Sequence, residues 1–132
     1  MAACVVPLAG ERLAAGFPSP ATDYVEASLD IGDYLVRNKQ ATFVFTVEGA
    51  SMVGAHIFDG DKLVVDRSIE ARHGHIVVAV VNGEFTVKRL YCHGGVVELR
   101  PENLAYPVLR CRDFDDVRIW GVVTGVLRKF SV

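Results

Sequence analysis

The sequence lacks the features that mark disulfide-rich, zinc-binding or membrane-spanning proteins. Its 132 residues include three cysteines, an odd number with no C-x-x-C pair. We therefore expect free thiols in a reducing compartment, and neither a disulfide framework nor a metal site. No apolar run approaches the roughly 18 residues that are needed to cross a bilayer. We accordingly expect no membrane association.

The chain has no large excess of positive or negative charge, because its net charge is only -2. The absence of a large basic field argues against direct, sequence-specific binding of nucleic acid. The N-terminal stretch MAACVVPLAG contains an apolar run, but no basic residues precede it and Pro7 interrupts it. A secretory signal has basic residues before an uninterrupted apolar run. We expect a soluble, cytoplasmic protein.

Prolines are concentrated in the first part of the chain. Pro7, Pro18 and Pro20 disfavour a long helix or a central strand there. Residues 1–22 are therefore predicted to form a flexible, extended arm. Residues 23–132 are predicted to form one domain, since 51% hydrophobic residues suffice for a single core.

Beyond the arm, a short helix is followed by signals that are mostly β. Ser28 or Asp30 is placed to cap the helix, which should end near Asn38. Asn82-Gly83 is typical of a type I′ hairpin turn. The predicted strands are ATFVFTV (41–47), KLVVD (62–66), HIVVAVV (75–81), EFTVKRLY (84–91), VVELR (96–100), YPVLR (106–110) and VRIWGVVTGVLRKF (117–130). The fold class is therefore mainly β, with several short strands and one or two short helices.

Spacing also suggests which aromatic and charged residues are buried. Phe43, Phe45 and Phe85 lie at strand spacing and are expected in the core. Trp120 is expected in the core or in a dimer interface. Arg128 is expected to be solvated at the surface.

The segment TVEGASMVG (46–54) places Ser51 directly after a predicted strand, where it is either a turn serine or a nucleophile. The hydrolase elbow G-x-S-x-G does not fit, because Val53 stands where the second glycine is needed. The spacing of the histidines supports neither a catalytic triad nor a metal site. We interpret them as surface or turn residues: His56, His73, His75 and His93.

Lys88 is the alternative base for Ser51. It follows the predicted hairpin turn and shares a strand face with Thr86, whose hydroxyl could hydrogen-bond the amine. If buried, the lysine would have a lowered pKa and could accept a proton. If exposed, it would belong to a polar stripe with Thr86 and Glu84, which is the commoner arrangement of strand lysines. The residues alone leave both alternatives open.

The segments AAGFPSPATDYVE, VEGASM and GEFTVKRL, with DGD and HG-x-IV in the same order, resemble the UmuD family of LexA-type self-cleaving proteins. The resemblance runs from about Gly16 to the C-terminus and implies a LexA/UmuD-like β fold. It implies that Ser51 is the nucleophile and Lys88 the general base of a serine endopeptidase without a cofactor. The bond cut would be Ala15-Gly16 of the same chain. Backbone amides around Ala50 and Ser51 would stabilise the oxyanion.

The resemblance also implies a cellular role. UmuD-like proteins are homodimers, and RecA filaments on single-stranded DNA stimulate their self-cleavage after DNA damage. The trimmed dimer then serves as accessory subunit of a UmuC-type, error-prone translesion polymerase in SOS mutagenesis. The 15 residues before Gly16 form a shorter segment than is usual in the family.

Three alternatives remain at this point. A LexA-type or phage-type repressor shares the dyad and the Ala-Gly site, but its helix-turn-helix module needs several helices, and 15 residues cannot supply them. A signal peptidase uses a Ser-Lys pair but would show an apolar anchor. A non-catalytic dimeric binding module would be indifferent to the loss of Ser51 or Lys88.

Overall fold

The computed structural model describes residues 3–10, 12–18, 20–21 and 25–132, apart from the side chains of residues 25 and 26. The predicted boundary between residues 22 and 23 lies outside these described residues. The chain divides into two compact units, Met1–Arg37 and Asn38–Val132.

The first unit contains two antiparallel strands and a short helix. Strand β1 (Val5–Ala9) pairs with β2 (Val25–Asp30), and α1 (Ile31–Leu35) follows directly. Pro7 is tolerated in β1 because a two-stranded sheet has only edge strands.

Helix α1 begins where the capping signal predicts. The side chain of Asp30 accepts a 3.1 Å hydrogen bond from the amide of Asp33. This confirms Asp30 as the N-cap. The helix ends at Leu35, three residues before the predicted end. Asn38 does not end α1, because its side chain caps the next 3-10 turn by accepting from the amide of Gln40.

The second unit is built on one seven-stranded sheet, and its mainly-β character confirms the predicted fold class. All the strand pairs are antiparallel. The order across the sheet is β3-β4-β9-β5-β6-β7-β8. The strands are β3 (Thr42–Thr46), β4 (Lys62–Asp66), β5 (Ile76–Val81), β6 (Glu84–His93), β7 (Val96–Arg100), β8 (Leu109–Arg110) and β9 (Val117–Leu127).

The β5–β6 hairpin positions the lysine strand. Asn82 and Gly83 have φ values of 47° and 85°, as a type I′ turn requires, so the predicted hairpin is confirmed. The resulting register pairs Thr86 with Ala79 and Lys88 with Val77. Because strand side chains alternate, Thr86 and Lys88 project from the same face of β6.

The core lies on both faces of the sheet, which explains the uninterrupted apolar run of β5. Val78 joins one buried cluster and Val77 the other, since successive side chains of a strand point in opposite directions. The first cluster contains Met52, the residue that follows Ser51, at 1% exposure. The turn that carries the serine is thus anchored in the core.

Two of the three predicted core phenylalanines are not buried. Phe43 and Phe85 remain 45% and 57% exposed, so that expectation is wrong for both, whereas Phe45 is partly buried. Each of the three rings lies 5.0 to 5.9 Å from the ring of Trp120, centroid to centroid. Strand β3, which carries Phe43 and Phe45, is an edge strand, and the three phenylalanine rings pack around Trp120.

Arg128 is not simply solvated, as the sequence suggested. Its guanidinium forms a two-pronged ion pair with the buried carboxylate of Asp61, at 2.6 and 2.7 Å. The hydrogen bond from Arg128 lowers the pKa of Asp61 to about 2, with a further contribution from the amide of Phe58. The pair joins the turn before β4 to the chain after β9.

Candidate active site

Ser51 lies in the connection between β3 and β4, on a turn with several local constraints. Gly49 has a φ of +95°, a left-handed conformation that glycine adopts without strain, and its amide donates to the Asp59 side chain. A 3-10 turn, Val53–Ala55, begins two residues after the serine. Ser51 itself is half-buried.

Lys88 reaches the serine from β6. Its Nζ atom lies 3.2 Å from Ser51 Oγ, 2.7 Å from Thr86 Oγ1 and 3.1 Å from the carbonyl oxygen of Val87. The hydrogen bond between Lys88 and Thr86 that strand alternation suggested is therefore present. Lys88 is only 9% exposed, which rules out the solvent-facing stripe for this residue.

The surroundings of Lys88 favour its neutral form. Burial lowers its pKa, because the ammonium group loses hydration. None of its three hydrogen-bond partners carries a negative charge that would offset this loss. A neutral amine has two N–H groups and one lone pair. Thr86 and Val87 can accept the two N–H groups, which leaves the lone pair to take a proton from the Ser51 hydroxyl.

The Ser51–Lys88 pair faces an open cleft of about 400 Å³. Its wall also includes the large side chains of Phe45, Val47 and Tyr106. A peptide segment with small or apolar side chains would therefore be compatible with the cleft.

One part of the site could not be found from the sequence pattern. The amide of Glu102 donates to the carbonyl of Ser51 at 2.8 Å, and the Asn103 side chain donates to the carbonyl of Ala50 at 2.9 Å. These bonds join positions about fifty residues apart in the chain. The only local signal is the turn-forming composition of PENLAYP, which does not indicate a partner.

Ala15 and Gly16 belong to the first unit. They lie in the irregular segment between β1 and β2, and both are exposed. Their neighbours Leu13 and Phe17 are 97% and 89% exposed. This accessibility is compatible with cleavage in the segment.

The histidines do not approach a catalytic or metal-binding arrangement in the described part of the chain. His73 and His75 use their Nδ1 atoms to accept backbone amides, from Cys92 and Arg72. Among the residues that the structure describes, no three His, Cys, Asp or Glu side chains are grouped to hold a metal ion.

No helix in the described part of the chain has the length and apolarity needed to span a bilayer.

Comparison with known proteins places this chain in a family. Residues 7–124 match the family described as Peptidase S24-like. The chain is 48% identical to protein MucA of Salmonella typhimurium over 128 residues, covering 96% of this chain and 87% of MucA. It is 44% identical to protein ImpA of Shigella flexneri over 130 residues, covering 95% and 85% of the two chains.

A repressor is also among the relatives. The LexA repressor of Desulfatibacillum aliphaticivorans is 42% identical over 127 residues, which cover 94% of this chain but only 61% of that protein. The resemblance to the UmuD family is confirmed by these matches. The chain belongs to the S24-like peptidases, the family of self-cleaving serine peptidases that includes the UmuD-type proteins of SOS mutagenesis.

Proposed function

We propose that Ser51 and Lys88 form a catalytic dyad that cuts the protein's own chain between Ala15 and Gly16. The observation that carries this proposal is the 3.2 Å separation of Lys88 Nζ from Ser51 Oγ at a site where burial lowers the lysine pKa. A general base needs that reach, and a lowered pKa increases the fraction of the lysine that is neutral at a given pH. The matching peptidase family supports the same type of reaction.

The reaction begins when neutral Lys88 removes the proton from Ser51 Oγ. The oxygen attacks the carbonyl carbon of Ala15, and amides around Ala50 and Ser51 stabilise the resulting oxyanion. The bond to the Gly16 nitrogen then breaks, and Lys88 returns its proton to that nitrogen as the new amino terminus forms. Water hydrolyses the acyl group from Ser51 in the second half of the reaction.

The residues around the bond suit a narrow site. Ala15 offers only a methyl group, and Gly16 has no Cβ, so its backbone can bend as it enters. We assign the cleavage site to an arm of residues 1–22, and the catalytic and dimerisation functions to residues 23–132.

The relatives support a proposal for the cellular role. With 44–48% identity to MucA and ImpA, the chain is proposed to act in SOS mutagenesis as a cytoplasmic homodimer. A RecA filament on single-stranded DNA would stimulate the cut. The trimmed dimer would then serve a UmuC-type translesion polymerase. A self-cleaving repressor is the alternative that the LexA relative keeps open.

Intact-mass spectrometry tests the cleavage directly. The purified chain is incubated at neutral and mildly alkaline pH beside Ser51→Ala and Lys88→Ala variants. We expect a fragment that begins at Gly16 to accumulate at alkaline pH in the wild type alone. A wild-type chain that stays intact, even with RecA filaments added, would contradict the proposal. So would a cut that persists in Ser51→Ala.

A further inference from the structure

Hydrogen bonds join the turn that carries Ser51 to one short segment after β7. The Asn103 side chain donates to the carbonyl of Ala50 at 2.9 Å. The amide of Glu102 donates to the carbonyl of Ser51, and the amide of Gly54 donates to the carbonyl of Glu102, both at 2.8 Å. The serine thus lies within a stretch held by three hydrogen bonds to two consecutive residues.

The close approach of the two backbones depends on Gly54. A Cβ atom at this position would lie 2.6 Å from the carbonyl oxygen of Glu102, closer than such atoms come in proteins. Any larger residue would therefore push the two segments apart. Gly54 is three residues beyond the serine, so a displacement of the backbone at Gly54 would also move the turn that carries Ser51.

The same segment is tied to the strand that carries the lysine. Arg89 follows Lys88 in β6, and its Nε atom forms a 2.7 Å ion pair with Glu102 Oε1. Arg89 also donates to the carbonyl of Gly74 at 2.7 Å, which fixes its guanidinium. Glu102 therefore bonds through its backbone to the turn with Ser51 and through its side chain to the residue beside Lys88.

Asn103 is held in the orientation that this contact needs. Its Oδ1 atom accepts from the amide of Ala105 at 3.0 Å. With the oxygen so engaged, the Nδ2 group faces the carbonyl of Ala50. The two ends of one amide thus connect the local turn with the turn that carries the serine.

We propose that Glu102 and Asn103 are positioning residues that set the distance between Ser51 Oγ and Lys88 Nζ. The inference deepens the proposed self-cleavage and rests on it. Proton transfer to a base needs a heavy-atom distance of about 2.6–3.2 Å. The observed 3.2 Å is at the upper end of that range, so a small drift of the turn would break the contact. A misplacement of about 1 Å can cost roughly a hundredfold in rate.

The first test measures self-cleavage of Asn103→Ser across a range of pH. Serine can still accept from the amide of Ala105, but its side chain is too short to reach Ala50. We expect cleavage to slow about tenfold to a hundredfold on the basis of the misplacement argument. The pH midpoint should stay close to that of the wild type, because Lys88 keeps its burial and its bonds to Thr86 and Val87. Asn38→Ser is the matched control, since it weakens an asparagine cap that is local to Gln40.

A second pair of variants tests the Arg89 link without altering Asn103. Glu102→Ala removes the side-chain acceptor for Arg89 and should slow cleavage. Glu102→Gln keeps an oxygen acceptor and should recover most of the lost rate. These two variants test the positioning role if Asn103→Ser fails to fold. Thermal unfolding of each variant measures how much of any loss is due to unfolded chains.

The inference is overturned if Asn103→Ser cleaves at the wild-type rate, or if its loss of rate equals its loss of folded protein. A rate that returns to the wild-type value at high pH would also overturn it, because that result would assign the effect to the pKa of Lys88. A wild-type chain that is never cut would instead remove the proposed function, and the inference with it.

Discussion

Lys88 donates its shortest hydrogen bond, 2.7 Å, to Thr86 Oγ1, two positions earlier on the same face of β6. The distance from Lys88 Nζ to Ser51 Oγ is half an ångström longer, at 3.2 Å. The lysine amine is thus held by its own strand and directed towards the serine turn. The bond to Thr86 restricts the rotation of the amine, so that the lone pair of Lys88 can face the hydroxyl of Ser51.

Thr86→Val should separate the orientation of the amine from its burial. Valine has nearly the shape of threonine but cannot accept the bond from Lys88. We expect self-cleavage to slow about tenfold at alkaline pH, because Lys88 becomes cationic as it takes the proton of Ser51 and would then lack one charge-assisted hydrogen bond. The midpoint of the pH profile should fall, because the ammonium form loses an acceptor. Thr86→Ser keeps the hydroxyl and should stay near wild type, and a Thr86→Val profile identical to wild type would refute the role.

The rate of self-cleavage should rise with pH and then level off. Burial lowers the pKa of Lys88 below its ordinary value of 10.5, so the neutral base appears at lower pH than for an exposed lysine. The midpoint is read from single-turnover cleavage measured by mass spectrometry. Lys88→Arg should be inactive throughout, since a guanidinium stays protonated. A profile that is flat from neutral to alkaline pH would count against Lys88 as the base.

The Asp61–Arg128 pair should make stability depend on acidity. The pKa of Asp61 is lowered from 3.8 to about 2, so its contribution is complete above 3.8 and is lost as the pH falls towards 2. Asp61→Asn should therefore be less stable than wild type at neutral pH, with a difference that shrinks across that interval. Urea unfolding at several pH values measures the difference. The exposed Asp59→Asn is the control, and equal losses in both variants would contradict the assignment.

Gly121 should be intolerant of any side chain. A Cβ atom there would lie 2.7 Å from Cγ1 of Val65, which is fully buried. We expect Gly121→Ala to cost about 1–3 kcal/mol of stability through overpacking. Combining it with Val65→Ala should cost less than the two changes summed, because the second removes the clashing atom. Strict additivity in denaturant unfolding would show that the two positions do not interact.

Local chemistry made several elements predictable. The Asp30 cap, the Asn82-Gly83 turn and most strand segments follow from hydrogen bonds and dihedral angles within a few residues. The pairing of Thr86 with Lys88 follows from the two-residue period of a strand. Ser51 and Lys88 could be selected as candidates from the family resemblance of the segments around them.

Long-range packing was not predictable in this way. Phe43 and Phe85 have the spacing of core residues, yet they remain exposed, because the spacing of residues along a strand does not determine what packs against that face. The position of β9 between β4 and β5 depends on pairings between strands that are far apart in the chain. The contacts of Glu102 and Asn103 with the serine turn depend on backbone groups that carry no sequence pattern.

The amino-acid sequence alone predicts the mainly-β class, the hairpin that aligns Thr86 with Lys88, and the family to which the chain is similar. The burial of Lys88 and the position of its amine beside Ser51 became known from the three-dimensional packing. The physical reason is that burial and distance depend on strands far apart in the chain. A lysine in the same local sequence would be an exposed cation if the turn between β3 and β4 were packed elsewhere.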